Sequence, residues 1–424
     1  MKVKGMNKKL LALLAASTVM VPSVVLAQAA GTVEGIHHWV SESEVNALNV
    51  ILDGLRERGF EWQDSAVGGL TGANATQALR TRLAAGNPPG TMQFLGFEGV
   101  NWAAEGVLRD LTPLADAGGW EAALAPQLLP FVKSDDAGFF AVPINMHRTN
   151  WVWANKKVFD DAGLAIPTTW DELIATGEKL KAAGIVPLAT GDEPWQIGTI
   201  FDSLMVDLNG PEFYRKAAVE LDEATLLSPE MVATFDKLRE VRGLVDDNFT
   251  GRDWAVATGM VINGEAAMQV MGDWAKGEFL AKGLQPDVDF LCFATPTATP
   301  NYLFNVDAFG MFHSDVEGVT AAQDAFAETI MDPKIQHDFN EVKGSIPARS
   351  DVAVDDLDVC AQKSASDRAA AVDADAMFGS LTQGFATQPE FSAIFLDVAA
   401  RFFTTDMSSQ DAAQALVDGI ANAR

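Results

Sequence analysis

The sequence predicts an α/β protein built as two lobes, and three observations lead there. Its 424 residues exceed the roughly 100 to 200 that one compact core holds. Strand-like and helix-like segments alternate from residue 33 onward, the pattern of a mostly parallel sheet covered by helices. Composition is that of an ordinary globular chain, 48% hydrophobic and 21% charged with 10 Trp. No tract after residue 27 approaches the roughly 18 unbroken apolar residues of a membrane helix.

The first 27 residues stand apart. Lys2, Lys4, Lys8 and Lys9 precede the apolar run LLALLAASTVMV, and Val25-Leu26-Ala27 offers small residues for cleavage after Ala27. This reads as a secretory signal peptide and predicts a soluble exported protein, with an N-terminal membrane anchor as the competing reading. No cysteine stands at the cut, which argues against a lipid anchor. Without the four leader lysines the formal charge moves from −28 to −32, so nucleic acid and anionic lipid are poor partners.

VEGIHHWV (33–40) reads as the first strand and SESEVNALNVILDGLRERG (41–59) as the helix after it. Val45, Leu48, Ile51, Leu52 and Leu55 share one helical face, and Gly59 is the stop. FEWQDSAV gives the second strand, TGANATQALRTRLAAG a helix ending at Gly86 before the breaker NPPG, and TMQFLG the third strand. In this order ligands collect at the carboxyl ends of strands, and HHWVSESE, His37 to Glu44, occupies such an end. Two readings of Glu44 compete there. It completes an S-x-x-E capping box begun by Ser41, worth about 1 kcal/mol, or it faces a cleft and accepts hydrogen bonds from a bound molecule.

Further along, Asp135 to Gly138 marks a hairpin turn, TNWVWAN a strand, and IPTTWDEL the start of a helix with Thr169 and Glu172 as a second capping box. Pro143, in the extended AVPINMH segment, disfavours a central strand and marks the natural boundary between the lobes. After helical character around residues 226 to 242, GEAAMQV and DFLCFATPTATPNYLFNVDAFGMF return to strand, and the remainder is mostly helical. The two cysteines, Cys292 and Cys360, are most simply one disulfide in an oxidising compartment, worth about 4 kcal/mol on a chain-entropy account; two buried thiols are the alternative.

Enzyme signatures are scarce. There is no G-x-S-x-G elbow, phosphate loop, G-x-G-x-x-G or H-E-x-x-H. His37, His38, His147, His313 and His337 lack metal-ligand spacing, and among 58 acidic residues carboxylate pairs are uninformative. No catalytic residue, metal or cofactor is therefore expected. Tryptophan beside glycine and aspartate does stand out: GDEPWQ at Trp195, TGRDWAV at Trp254 and MGDWAKGEF at Trp274. An indole packs on the C–H face of a saccharide while neighbouring carboxylates and amides meet its hydroxyls; ordinary core or rim packing is the rival for each.

The segments AVPINMHRTNWVWANKKVFDDAGL, IPTTWDEL, GPEFYRKAAVELD, FTGRDWAVATGMVINGEAAMQVMGDWAKGEF, NVDAFGMF and VKGSIPARSD carry a resemblance. Together they resemble the family 1 extracellular solute-binding proteins of bacterial ABC sugar importers, most closely the periplasmic glucose/mannose-binding branch. The resemblance implies the two-lobed periplasmic binding protein fold (type II-like), with lobe one at 28–143 plus 305–345 and lobe two at 144–304 plus 346–424. It places crossings near Ala141 to His147, Phe304 to Phe309 and Lys343 to Ser350. It also implies a monomer that binds sugar between the lobes and delivers it to inner-membrane permease subunits.

Where the branch shows a tryptophan pair and then Thr-Ser-Gly-Gly-Glu, this chain has His38-Trp39-Val40-Ser41-Glu42-Ser43-Glu44. Trp39 and Glu44 match, and His38 replaces an indole. Trp274, Asn305, Asp307 and Lys343 fall in segments like those lining the family pocket. Leu95 stands where the branch carries Lys, and Gln383 where it carries His. Trp39 and Trp274 are expected to stack on the sugar ring, with Glu44, Asp307, Asn305, Lys343 and Gln383 addressing hydroxyls. A polar group left unpaired in the closed cleft costs about 1 to 3 kcal/mol, so the departures favour another pyranose, an amino sugar or a small glycoside over glucose. The rival functions are a secreted glycoside hydrolase and a sugar-sensing accessory protein.

Overall fold

The computed structural model describes residues 31–69 and 72–424, and the leader reading of residues 1–27 lies outside them. Strands β1 (Thr32–His37), β2 (Glu61–Ala66) and β3 (Thr91–Phe94) alternate with the helices Glu42–Glu57 and Ala73–Ala84. A small hairpin, β4 (Lys133–Ser134) and β5 (Gly138–Phe139), turns where the sequence predicts. β6 (Ala141–Pro143), β7 (Asn145–Arg148) and β8 (Trp151–Asn155) follow almost without interruption. After helix Trp170–Ala182 come β9 (Val186–Leu188), β10 (Ala266–Val270) and β11 (Phe290–Ala294). Then come β12 (Tyr302–Asn305), β13 (Ala308–Met311), β14 (Ile346–Pro347) and β15 (Met377–Gly379), before the terminal helices Pro389–Thr404 and Ser409–Ala423.

These strands make three main sheets, each with one member running against the rest. The first has the order β2-β1-β3-β13-β6 and reverses β13. The second, β11-β8-β10-β9, reverses β8, and the third, β14-β7-β12-β15, reverses β7. The mostly parallel sheet predicted from the βαβα order is therefore present, with the odd strand supplied by chain that arrives without a crossover helix.

The chain passes between the first and third sheets twice through very short links. Ile144 alone separates β6 of the first sheet from β7 of the third, and Val306-Asp307 separates β12 of the third from β13 of the first. The links are bonded side by side: Ile144 N donates to Asp307 O (3.0 Å), and Asp307 N donates to Asn145 Oδ1 (2.9 Å). Pro143 lies on β6, the outermost strand of its sheet, where its missing N–H costs no ladder bond.

Helix Glu42–Glu57 begins with a complete capping box. Glu44 N donates to Ser41 Oγ (3.3 Å) while Ser41 N donates to Glu44 Oε2 (3.0 Å). Leu48, Ile51, Leu52 and Leu55 are buried as the spacing predicts, but Val45 is 43% exposed; it lies with Leu52 on the rim of the stripe. Gly59, at φ +85°, ends the helix in the left-handed region that glycine tolerates best. The second predicted box is only half formed. Thr169 caps its helix, but the Glu172 carboxylate turns to the amide (2.8 Å) and hydroxyl (2.7 Å) of Thr168.

One apolar core gathers on the first sheet, from Val33 to Met146 and again from Tyr302 onward. Others gather on the second sheet and the terminal helices. A disulfide joins Cys292 of β11 to Cys360 of helix Val359–Asp373. Among the described residues, no helix is long and apolar enough to cross a membrane.

Candidate functional site

Strand ends and the two short links converge on a cleft of about 660 Å³. All eight residues predicted to contact a ligand line it: His38, Trp39, Glu44, Trp274, Asn305, Asp307, Lys343 and Gln383. The topology explains the convergence. His38 and Trp39 follow β1, Leu95 follows β3, and Trp274 follows β10, while Asn305 directly precedes one link and Asp307 lies within it. Binding at carboxyl ends of strands is the general habit of open α/β sheets.

The indoles are set at helix N-termini. Trp195 is in the first turn of helix Pro194–Asn209, Trp254 opens helix Trp254–Ile262, and Trp274 directly precedes helix Ala275–Ala281. Trp274 has 7% of its surface exposed; its ring lies 5.3 Å from His147, edge to face, and 6.3 Å from Trp195. Trp39 behaves differently. It is 1% exposed and packs between Phe339 (5.4 Å) and Phe309 (5.6 Å), so it serves mainly as the floor under the cleft.

A charged network runs beneath the rings. Gln93 Nε2 donates to Asp307 Oδ1 (2.7 Å), and Asn145 Nδ2 donates to Asp307 Oδ2 (2.7 Å). His147 bridges two carboxylates, with Nδ1 bonded to Asp273 and Nε2 3.1 Å from Asp307 Oδ2. Burial alone would push the His147 imidazolium down, but the Asp273 charge and hydrogen bond, with Asp307, outweigh it and raise its pKa. Asp307 is shifted the opposite way. Burial would raise its carboxyl, yet the His147 hydrogen bond and charge, then Lys343 and His38, hold it well below the usual range. Desolvation lowers the His38 pKa from its ordinary value, and its Nε2 stands 3.3 Å from the Gln93 amide nitrogen.

Glu44 divides its work between its two oxygens. Oε2 accepts from the amides of Val40 (2.9 Å) and Ser41 (3.0 Å), whereas Oε1 lies 3.6 Å from the Lys343 ammonium. Cap and cleft group are thus one residue. Polar capacity is also left over on the cleft walls: Asn305 Oδ1 and Gln383 Nε2 are buried and have no hydrogen-bond partner among the described residues. A buried polar atom without a partner is costly, so its presence beside a cleft points to a ligand that completes it.

Sequence reasoning did not select Gln93, His147 or Asp273 for the site, nor Glu193 and Asp253, which also line the cleft. Trp195 and Trp254 were picked out by their Gly/Asp neighbours, and both line it. His147 and Asp273 are 126 residues apart in the chain, so no local pattern joins them. Among the described residues no cluster of three or more His, Cys, Asp or Glu is arranged to hold a metal ion.

Comparison with known proteins agrees with this architecture. A protein of Rhizobium meliloti (strain 1021) named "Probable sugar-binding periplasmic protein" is 42% identical over 398 residues, 94% of this chain and 95% of that one. The bacterial solute receptor AcbH, described with an exclusive preference for β-D-galactopyranose, superposes with a TM-score of 0.80 at 18% identity over 93% of this chain and 99% of its own. A chitin oligosaccharide binding protein superposes with a TM-score of 0.79 at 21% identity over 93% and 99%. These two structures share the fold, two lobes of mixed α/β structure. Residues 58–326 match the family of bacterial extracellular solute-binding proteins, so the chain belongs to that family and is a binding protein rather than an enzyme.

Proposed function

We propose that this protein captures a sugar in a cleft between two lobes, residues 28–143 plus 305–345 and 144–304 plus 346–424, and hands it to an ABC importer. The observation that carries the reading is apolar ring surface set against unfilled polar groups. Trp274, Trp195 and Trp254 offer faces for the C–H side of a pyranose, and Trp39 forms the floor. Asn305, Gln383, Lys343, Glu44, His38 and Asp307 stand within the same cleft to meet hydroxyls. The names of the Rhizobium relative and of the two structural neighbours support sugar as the ligand class.

In this reading the protein is exported, loses its leader after Ala27 and works as a monomer in the periplasm. Tighter binding by the closed form drives closure, and the permease reads the closed shape. Leu95 and Gln383, in place of two basic groups, make a pyranose other than glucose, an amino sugar or a small glycoside the preferred ligand. Intrinsic tryptophan fluorescence across such a library, with titration calorimetry of the responders, tests it. At least one sugar should give a saturable change; silence from the whole library would reject the reading.

A further inference from the structure

Asp202 is a buried carboxylate that makes no part of the cleft wall. It lies on helix Pro194–Asn209, 1% exposed, and is not among the residues lining the cleft. Its Oδ1 accepts from the Tyr214 hydroxyl (2.7 Å), and its Oδ2 from the Ser380 hydroxyl (2.7 Å) and, at 3.4 Å, the Thr382 amide. The Tyr214 oxygen in turn accepts from the Leu381 amide (3.0 Å). Asp202 and Tyr214 therefore hold three consecutive residues, 380 to 382, just after β15. Burial lifts the Asp202 pKa to about 6 despite these bonds. A carboxylate costs more to bury than a neutral side chain of the same size. What it adds is the strength of a charged acceptor.

The next residue is Gln383, which does line the cleft. Beyond it the chain is fixed again. Phe97 N, at the start of helix Phe97–Ala104, donates to Gly384 O (2.9 Å), and a Cβ on Gly96 would collide with that carbonyl. Phe385 packs in the core of the first sheet, its ring 4.7 Å from Phe131, whereas Leu381 packs in that of the second. Gln383 thus stands between two anchors, one on each core. With the Asp202 anchor cut, the turn can pivot about the other.

We propose that Asp202, acting through Tyr214 and Ser380, is a positioning residue that fixes the Gln383 side chain for the bound sugar. The proposal rests on the sugar-binding reading and deepens it, placing part of the control of affinity on a group outside the cleft. A displaced Gln383 leaves a ligand hydroxyl without its partner. Asparagine can take over the role of Asp202. Its oxygen would accept from Ser380 and Thr382, its amide would donate to Tyr214, and the Tyr214 hydroxyl would turn to the Gly379 carbonyl, 3.1 Å away. Alanine can do none of this.

Calorimetric titration of the full-length protein with D-glucose, D-galactose, D-mannose, N-acetylglucosamine, maltose and cellobiose selects the tightest-binding sugar for the test. For that sugar Gln383→Ala, Asp202→Ala and Tyr214→Phe should each weaken binding at least fivefold, and Asp202→Asn should stay within twofold of the parent. Asp202→Ala combined with Gln383→Ala should bind no more than twofold worse than Gln383→Ala alone, because Asp202 works through that side chain. Thermal melts identify the folded variants; if Asp202→Ala does not fold, Ser380→Ala, which removes one bond to the same carboxylate, takes its place in the cycle. Full affinity in the folded variant, or losses that multiply in the double variant, would assign Asp202 to the interior alone and overturn the proposal. Unchanged affinity in Gln383→Ala would overturn it too, and in each of these cases sugar binding would stand. Failure of every sugar with the parent protein would overturn both.

Discussion

Lys343 Nζ lies 3.6 Å from Glu44 Oε1, and both side chains are withdrawn from solvent, at 2% and 10% exposure. The separation is too long for a hydrogen bond, so the charges attract while the ammonium donors stay unmade. Glu44 is already committed through its other oxygen to the helix it caps. Lysine therefore has more to offer an incoming hydroxyl than the carboxylate can absorb.

Replacing Lys343 with Met should weaken sugar binding by at least tenfold while leaving the melting temperature equal or higher. An ammonium desolvated without good hydrogen bonds contributes little to stability, and an apolar side chain of similar length is often neutral or better. Calorimetry beside a thermal melt separates the two effects. Unchanged affinity would remove Lys343 from the site.

Glu44→Gln and Glu44→Ala should differ in stability but not in their effect on ligand. Glutamine keeps an oxygen for the Val40 and Ser41 amides, whereas alanine loses the cap and about 1 kcal/mol. Both variants lose the charge beside Lys343, and both should bind sugar more weakly. Urea melts alongside titrations would expose a purely structural Glu44, because only the alanine variant would then change anything.

The two central tryptophans should separate in the same manner. Trp39→Ala empties a space between Phe309 and Phe339 and should cost about 3 to 5 kcal/mol of stability. Trp274→Ala should instead abolish most of the sugar-induced fluorescence change and reduce affinity tenfold or more. Retained affinity in a folded Trp274→Ala protein would reject its place against the ring.

Stability should peak in mildly acidic solution. The His147 pKa is raised in the folded state from its ordinary 6.5, so its contribution is complete below about pH 6.5 and is lost as pH rises through the folded value. Burial lifts Asp202 to about 6 and Asp207 to about 7, from 3.8, so the folded state keeps protons that the unfolded chain releases. Stability therefore also falls as pH climbs from about 4 through 7. Asp307, depressed, contributes fully above about pH 4 and loses its share as pH falls below that. Thermal melts from pH 3 to 9 should show the decline on both sides, and Asp202→Asn should flatten the slope between about pH 4 and 6. A rise in stability from pH 5 to 8 would contradict these assignments.

Removing the Cys292–Cys360 bridge by a double Ala substitution should lower stability by about 2 to 4 kcal/mol, because the bond spans 68 positions of chain. Equilibrium unfolding in urea without reductant measures it. A loss below 0.5 kcal/mol would mean that the bridge is largely redundant with packing around it.

What the sequence disclosed was local. Ser41 and Glu44 announce their helix cap because three residues of spacing define it, and Trp254 and Trp274 stand out because glycine and aspartate flank them. Pro143 marked a change of sheet through its own missing donor. The ladder Gln93–Asp307–His147–Asp273 stayed hidden, since its members come from two strands and two connecting segments brought together only by folding. Val45 was assigned to the interior by periodicity, but spacing locates a stripe and not its width, which neighbouring elements set. Glu172 differs for a similar reason: a second threonine, Thr168, directly before the cap residue Thr169 offered its carboxylate a choice that an S/T-x-x-E pattern does not resolve.

Asp307 lies in one of the paired short links between the first and third sheets, with Asn305 on the strand leading into it and His147 bonded to it from the strand that follows the other link. Points close to a fulcrum travel least. If the halves swing about those links, the carboxylate and amide there hold their positions while groups farther from them sweep inward. A ring would thus be registered first by atoms that scarcely move, and enclosed afterwards by those that do.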